Sequence, residues 1–268
     1  MQYDVIVAGA GPAGSTAARE CAARGLRTLM LDKAEFPRDK PCGGGVNLRA
    51  SRLLPFDLEP VIERPIFGMR ISVRQRSSFT RRATEPITVL TQRRRLDAYL
   101  AERAVHAGVE FCQRSAVRSV ERRAGKVLVR SGSASYESRA LVVADGANGP
   151  VAGLADIAVA RRKEIALEGN ITPSDRYPSE WLDVFGIDVG SAPGGYGWLF
   201  PKGDHVNVGI GGWSSVGPTL RPRLDQLARY YGFAPSAFWG VRGHPLPVRQ
   251  AGATLVDENI LLTGDAAG

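Results

Sequence analysis

The chain has 268 residues, 44% of them hydrophobic and 23% charged, with a formal net charge of +8 carried mostly by arginine. This is the composition of a globular protein of one large domain or two modest ones, and no apolar run reaches the ~18 to 20 residues a membrane-spanning helix needs. Three widely spaced cysteines (Cys21, Cys42, Cys112) and three scattered histidines (His106, His205, His244) argue against a disulfide scaffold and against a metal site, and suit a reducing, cytoplasmic setting.

Tyr3 to Ala8 is a short apolar run rich in β-branched residues and reads as a buried parallel strand. Gly9-Ala10-Gly11-Pro12-Ala13-Gly14 follows, then an alanine-rich helix from Ser15 to Arg24 that Gly25 stops. Leu26 to Leu31 is the second strand, with Asp32 and Lys33 at its end; Asp32 stands eighteen residues after Gly14. Strand, G-x-G-x-x-G, helix, strand and acid make the dinucleotide-binding pattern. Gly9 makes the tight turn, Gly11 lets backbone approach a pyrophosphate, and Gly14 lets the helix lie close on the strand. The helix N-terminus offers unpaired N–H groups to phosphate.

Residues 36–50 hold Pro37 and Pro41 and the run Cys42-Gly43-Gly44-Gly45, which excludes helix or central strand. Bare backbone there can approach a flat ring. Gln92 to Ala107 reads as an amphipathic helix with Leu96, Leu100, Ala104 and Val105 inward. Three alternating stretches, Val109–Phe111, Ala116–Val120 and Val127–Val129, read as a small antiparallel excursion. Ala140 to Ala144 is another buried strand, and Asp145-Gly146 at its carboxyl end sits where open α/β sheets bind ligands.

From about residue 155 to 255 the texture changes to alternating strands at Glu164–Thr172, Leu182–Val189, Tyr196–Phe200 and His205–Gly211. A helix over Leu220–Tyr231 would cover this antiparallel sheet, and all four tryptophans fall here, a clustering that suits an apolar pocket and equally an ordinary aromatic core. The chain then returns to a strand at Asn259–Thr263 that ends in Gly264-Asp265-Ala266-Ala267-Gly268. Such a strand should feed a helix, so the sequence reads as a piece of a longer protein. The expected fold is α/β: a Rossmann-like dinucleotide-binding domain (1–60, 86–154, 256–268) with a discontinuous antiparallel-sheet substrate domain (61–85, 155–255).

These pieces in this order resemble the FAD-dependent oxidoreductases of the aromatic-hydroxylase superfamily. The resemblance rests on Gly9-x-Gly11-x-x-Gly14, Asp145-Gly146 and Gly264-Asp265. It implies that the first motif, with Ala13, Asp32 and Lys33, holds the ADP half of FAD. It also implies that Asp145-Gly146 lies near the pyrophosphate, that Asp265 hydrogen-bonds the ribitol, and that Arg93 and Val117 contact the cofactor. Aspartate at position 32 departs from the usual glutamate.

Two further motifs narrow the resemblance to the geranylgeranyl reductase family: Pro41-Cys42-Gly43-Gly44-Gly45 and Tyr196-x-Trp198-x-Phe200-Pro201, continued by Lys202-Gly203-Asp204. The family implies hydride transfer from reduced flavin to a double bond of an isoprenoid or prenyl-lipid substrate. Gly43, Gly44 and Gly45 would then face the ring, and Tyr196, Trp198, Phe200 and Pro201 would take the substrate. Cys42 is a candidate catalytic proton donor by location, with Tyr196 or an ordered water as rivals. The electron donor reads as NAD(P)H or a ferredoxin-type protein. A flavin monooxygenase or halogenase-like enzyme on an aromatic substrate, and a flavin-binding fragment without turnover, stand as alternatives. The arginine clusters at 81–82, 93–95, 122–123 and 161–162 carry no nucleic-acid motif. They read as solvated faces or as peripheral contact with an anionic membrane.

Overall fold

A computed structural model describes residues 2–159, 161–173 and 179–268. By its internal contacts the chain forms two compact units, one of Met1–Asp39, Arg94–Arg162 and Leu246–Gly268, the other of Lys40–Arg93 and Lys163–Pro245. No helix among the described residues is long and apolar enough to cross a membrane.

The first unit is built on an eight-stranded sheet. Gln2–Ala8 lies at its centre, parallel to Thr28–Leu31 on one side and Ala134–Val143 on the other. Ile260–Leu262 extends the sheet parallel beyond Ala134–Val143. The continuous apolar runs have their cause in this position: both faces of a central parallel strand are covered. Ile6, Leu29 and Leu141 are register neighbours and all fully buried. The helix Pro12–Ala23 has proline in its first turn, where a missing N–H costs nothing, and Gly25 at φ +80 ends it by donating its N–H to Ala22 at 2.8 Å.

The stretch expected at Val109–Phe111 is the strand Glu110–Cys112, and it pairs parallel with Thr28–Leu31 rather than joining the antiparallel excursion. The helix Arg93–His106 precedes it, and a helical crossover returns the chain parallel. Only Val117–Arg123 and Lys126–Ser131 form the excursion, laid antiparallel onto Ala134–Val143. In the helix, Leu96, Leu100 and Ala104 are buried as their spacing predicts, whereas Val105 is exposed. Asp97 is buried on the same helix and pairs with Arg38 at 2.8 Å.

The second unit carries a seven-stranded sheet in the order Phe238–Arg249, Arg161–Ile171, Val206–Trp213, Tyr196–Pro201, Val184–Val189, Gly68–Val73, Ser78–Arg82. It is not wholly antiparallel, because Val184–Val189 runs parallel to Gly68–Val73. The helix Leu220–Tyr230 covers one face, burying Leu220, Leu224 and Leu227 with Leu199, Val208 and Ile210. Gly186 and Gly197 let it approach, since a Cβ on either would press on Tyr231 or Leu227. A three-stranded antiparallel sheet of Gly45–Asn47, Thr88–Thr91 and Ile62–Ile66 completes the unit. This small sheet groups residues 40–60 and 86–93 with the second unit by contact, although the sequence reading assigned them to the cofactor domain.

The tryptophans do not share one pocket. Trp181 is core, meeting Tyr231 edge-on at 5.3 Å, and Trp213 and Trp239 are about half exposed. Trp198 alone belongs to the site described below.

Candidate functional site

In the first unit, the glycine-rich turn is shaped by steric necessity. Gly9 holds φ +105, and a Cβ on it would stand 2.9 Å from Asp145 Cα and closer still to the Ala144 carbonyl. A Cβ on Gly14 would strike the Gly9 carbonyl and meet the Ala144 side chain at 3.1 Å, so only glycine lets the helix start lie on the strand. Gly11 is the N-cap and makes no side-chain cap, which leaves the first N–H groups of Pro12–Ala23 to a ligand or to water. The turn Gly264–Ala266 sits on this helix start, since a Cβ on Gly264 would be 2.8 Å from the Ala13 methyl. The expected Gly9, Gly11, Ala13, Gly14 and Gly264 are therefore brought together.

Asp32 is nearly buried, and both its oxygens accept backbone N–H groups, Oδ2 from Ala10 and Oδ1 from Ala34, each at 2.8 Å. The carboxylate braces the glycine turn against the strand end, a role the motif alone did not reveal. Beside it runs a cleft lined by Gly9, Asp32, Lys33, Ala116, Val117, Asp145 and Val151. Asp145 Oδ2 accepts the Val151 N–H at 2.9 Å, while Oδ1 is buried without a hydrogen-bond partner. Burial pushes the Asp145 carboxyl up from the usual range, opposed by the Val151 N–H and by the charges of Lys33 and Arg161. An orphaned acceptor and a helix N-terminus with free donors fit a ligand that brings both hydroxyl and phosphate groups.

Asp265 is exposed, and its backbone carbonyl, with that of Ala266, accepts from Arg161 Nη1 at 3.0 and 3.1 Å. This brace does not use the carboxylate. Asp265→Ala is expected to keep the fold and weaken FAD binding by roughly tenfold, the worth of one charge-assisted hydrogen bond. Titration of FAD fluorescence against the variant measures it, with an unchanged melting temperature as the control for folding.

In the second unit, Tyr196, Trp198 and Phe200 alternate onto the sheet face opposite the covering helix, with ring centroids 6.1 and 6.4 Å apart along the ladder. Their register partners Val189 and Ile187, and Phe185 edge-on to Phe200 at 5.5 Å, extend this apolar face. The Trp198 indole is held flat over Gly209, where a Cβ would collide with the ring, and donates its N–H to Asn207 Oδ1 at 2.8 Å. Tyr196 is half exposed, whereas Pro201 is buried at the strand end beside Val206.

The glycine loop lies against the same ladder. A Cβ on Gly43 would enter the Phe200 ring and approach Trp198 Nε1 at 3.3 Å. Gly44 adopts φ +73, its carbonyl accepts the Thr91 N–H at 2.9 Å, and its N–H donates to Cys42 Sγ at 3.3 Å. Cys42 is exposed, and its backbone N–H donates to Glu168 at 2.7 Å. Gly45 opens the strand paired with Leu90. Arg93 opens the helix Arg93–His106 as the last residue of the second unit's first segment.

Sequence reasoning carried Lys202 only as a continuation of the Tyr196–Pro201 motif and gave it no part in fixing this loop. Lys202 is 2% exposed and donates to the carbonyls of Gly43 and, at 2.8 Å, Thr91. Glu168, which holds the Cys42 N–H, carried no signal of its own, and Asn207, which holds Trp198, was seen only within the run Asn207-Val208-Gly209 that continues the motif. A lysine following the buried Pro201 was the available hint for Lys202, but lysine after a strand ordinarily marks the surface.

The FAD binding domain family matches residues 2–189, and the geranylgeranyl reductase catalytic domain matches residues 170–230. The chain belongs to the geranylgeranyl reductase family of FAD-dependent oxidoreductases. It is 30% identical over 281 residues to a geranylgeranyl diphosphate reductase of Rhodobacter capsulatus, covering 100% of this chain and 69% of that one. It is also 30% identical over 286 residues to digeranylgeranylglycerophospholipid reductase 3 of Methanosphaera stadtmanae, covering 100% and 71%. A geranylgeranyl bacteriochlorophyll reductase-like protein of Thermoplasma acidophilum shares the fold with a TM-score of 0.81 at 26% identity, covering 99% of this chain and 71% of that one. Membership makes FAD the cofactor of this family member, and the helix start and Asp145 cleft of the first unit have the donor and acceptor chemistry it needs.

Proposed function

We propose that this chain reduces carbon–carbon double bonds of an isoprenoid chain attached to an anionic or lipid headgroup. The observation that carries the reading is the Tyr196-Trp198-Phe200 ladder, an apolar sheet face with the side-chain-free Gly43 pressed against it. The names of the Rhodobacter and Methanosphaera relatives support the substrate class.

Reduced FAD, when bound, supplies a hydride. In this reading Gly9, Gly11, Ala13, Gly14, Asp32, Lys33, Val117, Asp145 and Gly146 take the ADP half and pyrophosphate. Arg93, Gly264 and Asp265 take the remainder of the chain to the ring, and Cys42 to Gly45 take the ring itself. The aromatic ladder orients the apolar substrate and excludes water, while Pro201, buried on the other face of the strand, supports it from behind. The Cys42 thiol gives its proton to the alkene carbon that does not receive the hydride, and regains one from solvent, to which it is exposed. Two electrons per bond come from an NAD(P)H or ferredoxin-type donor. Substrate headgroups and membrane phosphates are the anions the arginine excess suits.

The test is anaerobic stopped-flow with the FAD-loaded chain, reduced beforehand, mixed with geranylgeranyl diphosphate. Oxidised-flavin absorbance is expected to return without oxygen. Trp198→Ala is expected to slow that return about tenfold by loosening the aromatic contact. A return that requires oxygen would favour the monooxygenase reading and defeat this one.

A further inference from the structure

The strongest unexplained feature of the second unit is a buried cation. Lys202 Nζ reaches the Gly43 and Thr91 carbonyls, and Thr91 in turn donates its N–H to Gly44 and its hydroxyl to Val61 at 2.7 Å. Gly44, at φ +73, has no room for a Cβ, which would strike the Thr91 carbonyl and stand 2.5 Å from Nζ, so the loop backbone lies directly against the lysine's end. A side chain of similar size without charge would avoid the desolvation that a buried ammonium suffers, so stability alone does not account for lysine here.

We propose that Lys202 is a positioning residue whose charged side chain clamps the Cys42–Gly45 loop, and that losing its proton, with the amine still buried, weakens its bonds to the loop, loosens it and weakens flavin binding. The proposal rests on the assignment of this loop to the flavin ring, and not on the identity of the substrate.

Titratable groups face the lysine from the loop and from two strands, while Thr88–Thr91 presents none. Cys42 on the loop, Glu168 on Arg161–Ile171 and Glu63 on Ile62–Ile66 favour the ammonium. Arg64 on that last strand donates to the Lys202 carbonyl and, at 3.1 Å, to that of Gly203. Asp204 and His205 pair with each other at 2.7 Å next along the chain. Burial outweighs the acids and lowers the Lys202 pKa to about 8. A neutral amine keeps two donors, but they lack the strength of charge-assisted bonds to the carbonyls.

FAD dissociation constants are to be measured from about pH 6.5 to 9.5 for the parent chain, Lys202→Arg and Lys202→Met, together with amide hydrogen exchange over residues 40–45. The parent constant is expected to rise about tenfold as pH passes through the lysine's titration. Lys202→Arg, whose guanidinium stays charged, is expected to hold a flat profile. Lys202→Met is expected to bind weakly at every pH and to exchange faster over 40–45. Parental affinity, pH profile and exchange in Lys202→Met would overturn the clamp. A parent chain that binds no FAD would refute the loop's flavin role, and this inference with it.

Discussion

Replacing Gly11 by valine is expected to leave the fold intact and to lower FAD affinity by at least about a hundredfold. Gly11 holds φ −73 and ψ −178, extended backbone that any residue adopts, so the substitution introduces no strain of its own. What it adds is a branched side chain at the mouth of the helix Pro12–Ala23, where a pyrophosphate must reach the backbone N–H groups. Loss of two or more charge-assisted hydrogen bonds at roughly 1.5 kcal/mol each gives that hundredfold. Gly14 is the contrasting control, because a side chain there meets the Gly9 carbonyl and must lift the helix from the sheet. Calorimetric FAD titration and a thermal melt distinguish the two: Gly11→Val should melt like the parent and fail to bind, while Gly14→Val should lose both properties. A Gly11→Val chain that retains parental FAD affinity would remove the glycine motif from the cofactor site.

The second large effect is a pH dependence of stability from Lys202. Its pKa is about 8 in the folded chain against 10.5 for the free side chain. Below pH 8 both states carry the proton, and the folded protein bears the full cost of a buried charge. Between about pH 8 and 10.5 the unfolded chain holds a proton that the folded chain has released, so stability rises with pH through this window. The gain amounts to about 3 kcal/mol once both have titrated. Urea denaturation of the parent and of Lys202→Met across the window isolates the contribution, since methionine has no proton to lose. The difference between the two should shift toward the parent as pH rises. Parallel pH profiles would mean that the lysine is not desolvated as its burial requires.

Much of the first unit was legible because its signals are local. Val5, Ile6 and Val7 declare a buried strand by composition, the glycine spacing declares the turn, and Asp145 and Gly264 follow strands at positions where open sheets bind ligands. Period-two alternation likewise marked Tyr196, Trp198 and Phe200 as one face of a strand. What local pattern cannot encode is pairing at a distance. Nothing in Gly68–Val73 announces that it will lie parallel to Val184–Val189, and Ser78–Arg82 is exposed at every residue, so no alternation marked it as an edge strand. The same limit hid the partner of Glu110–Cys112 and the grouping of residues 40–60 with the second unit.

The site failed to show itself in sequence where function depends on unusual burial. Lys202 reads as a surface lysine until the Gly43 and Thr91 carbonyls are seen around it. Asp32 reads as a ligand contact alone until Ala10 and Ala34 are seen donating to it. The tryptophans mislead in the opposite sense: Trp181 serves the core beneath the helix and only Trp198 joins the ladder. Aromatic content gave the unit, but which face each ring takes depends on strand register and on the covering helix Leu220–Tyr230.

The most direct test of the account is mass spectrometry of geranylgeranyl diphosphate after anaerobic incubation with the FAD-loaded chain and a low-potential reductant. Reduction of the isoprenoid predicts products heavier by a pair of hydrogens for each double bond consumed, formed without oxygen and slowed in Trp198→Ala. An unchanged substrate under these conditions, or a product that gains an oxygen atom only when air is admitted, would contradict it.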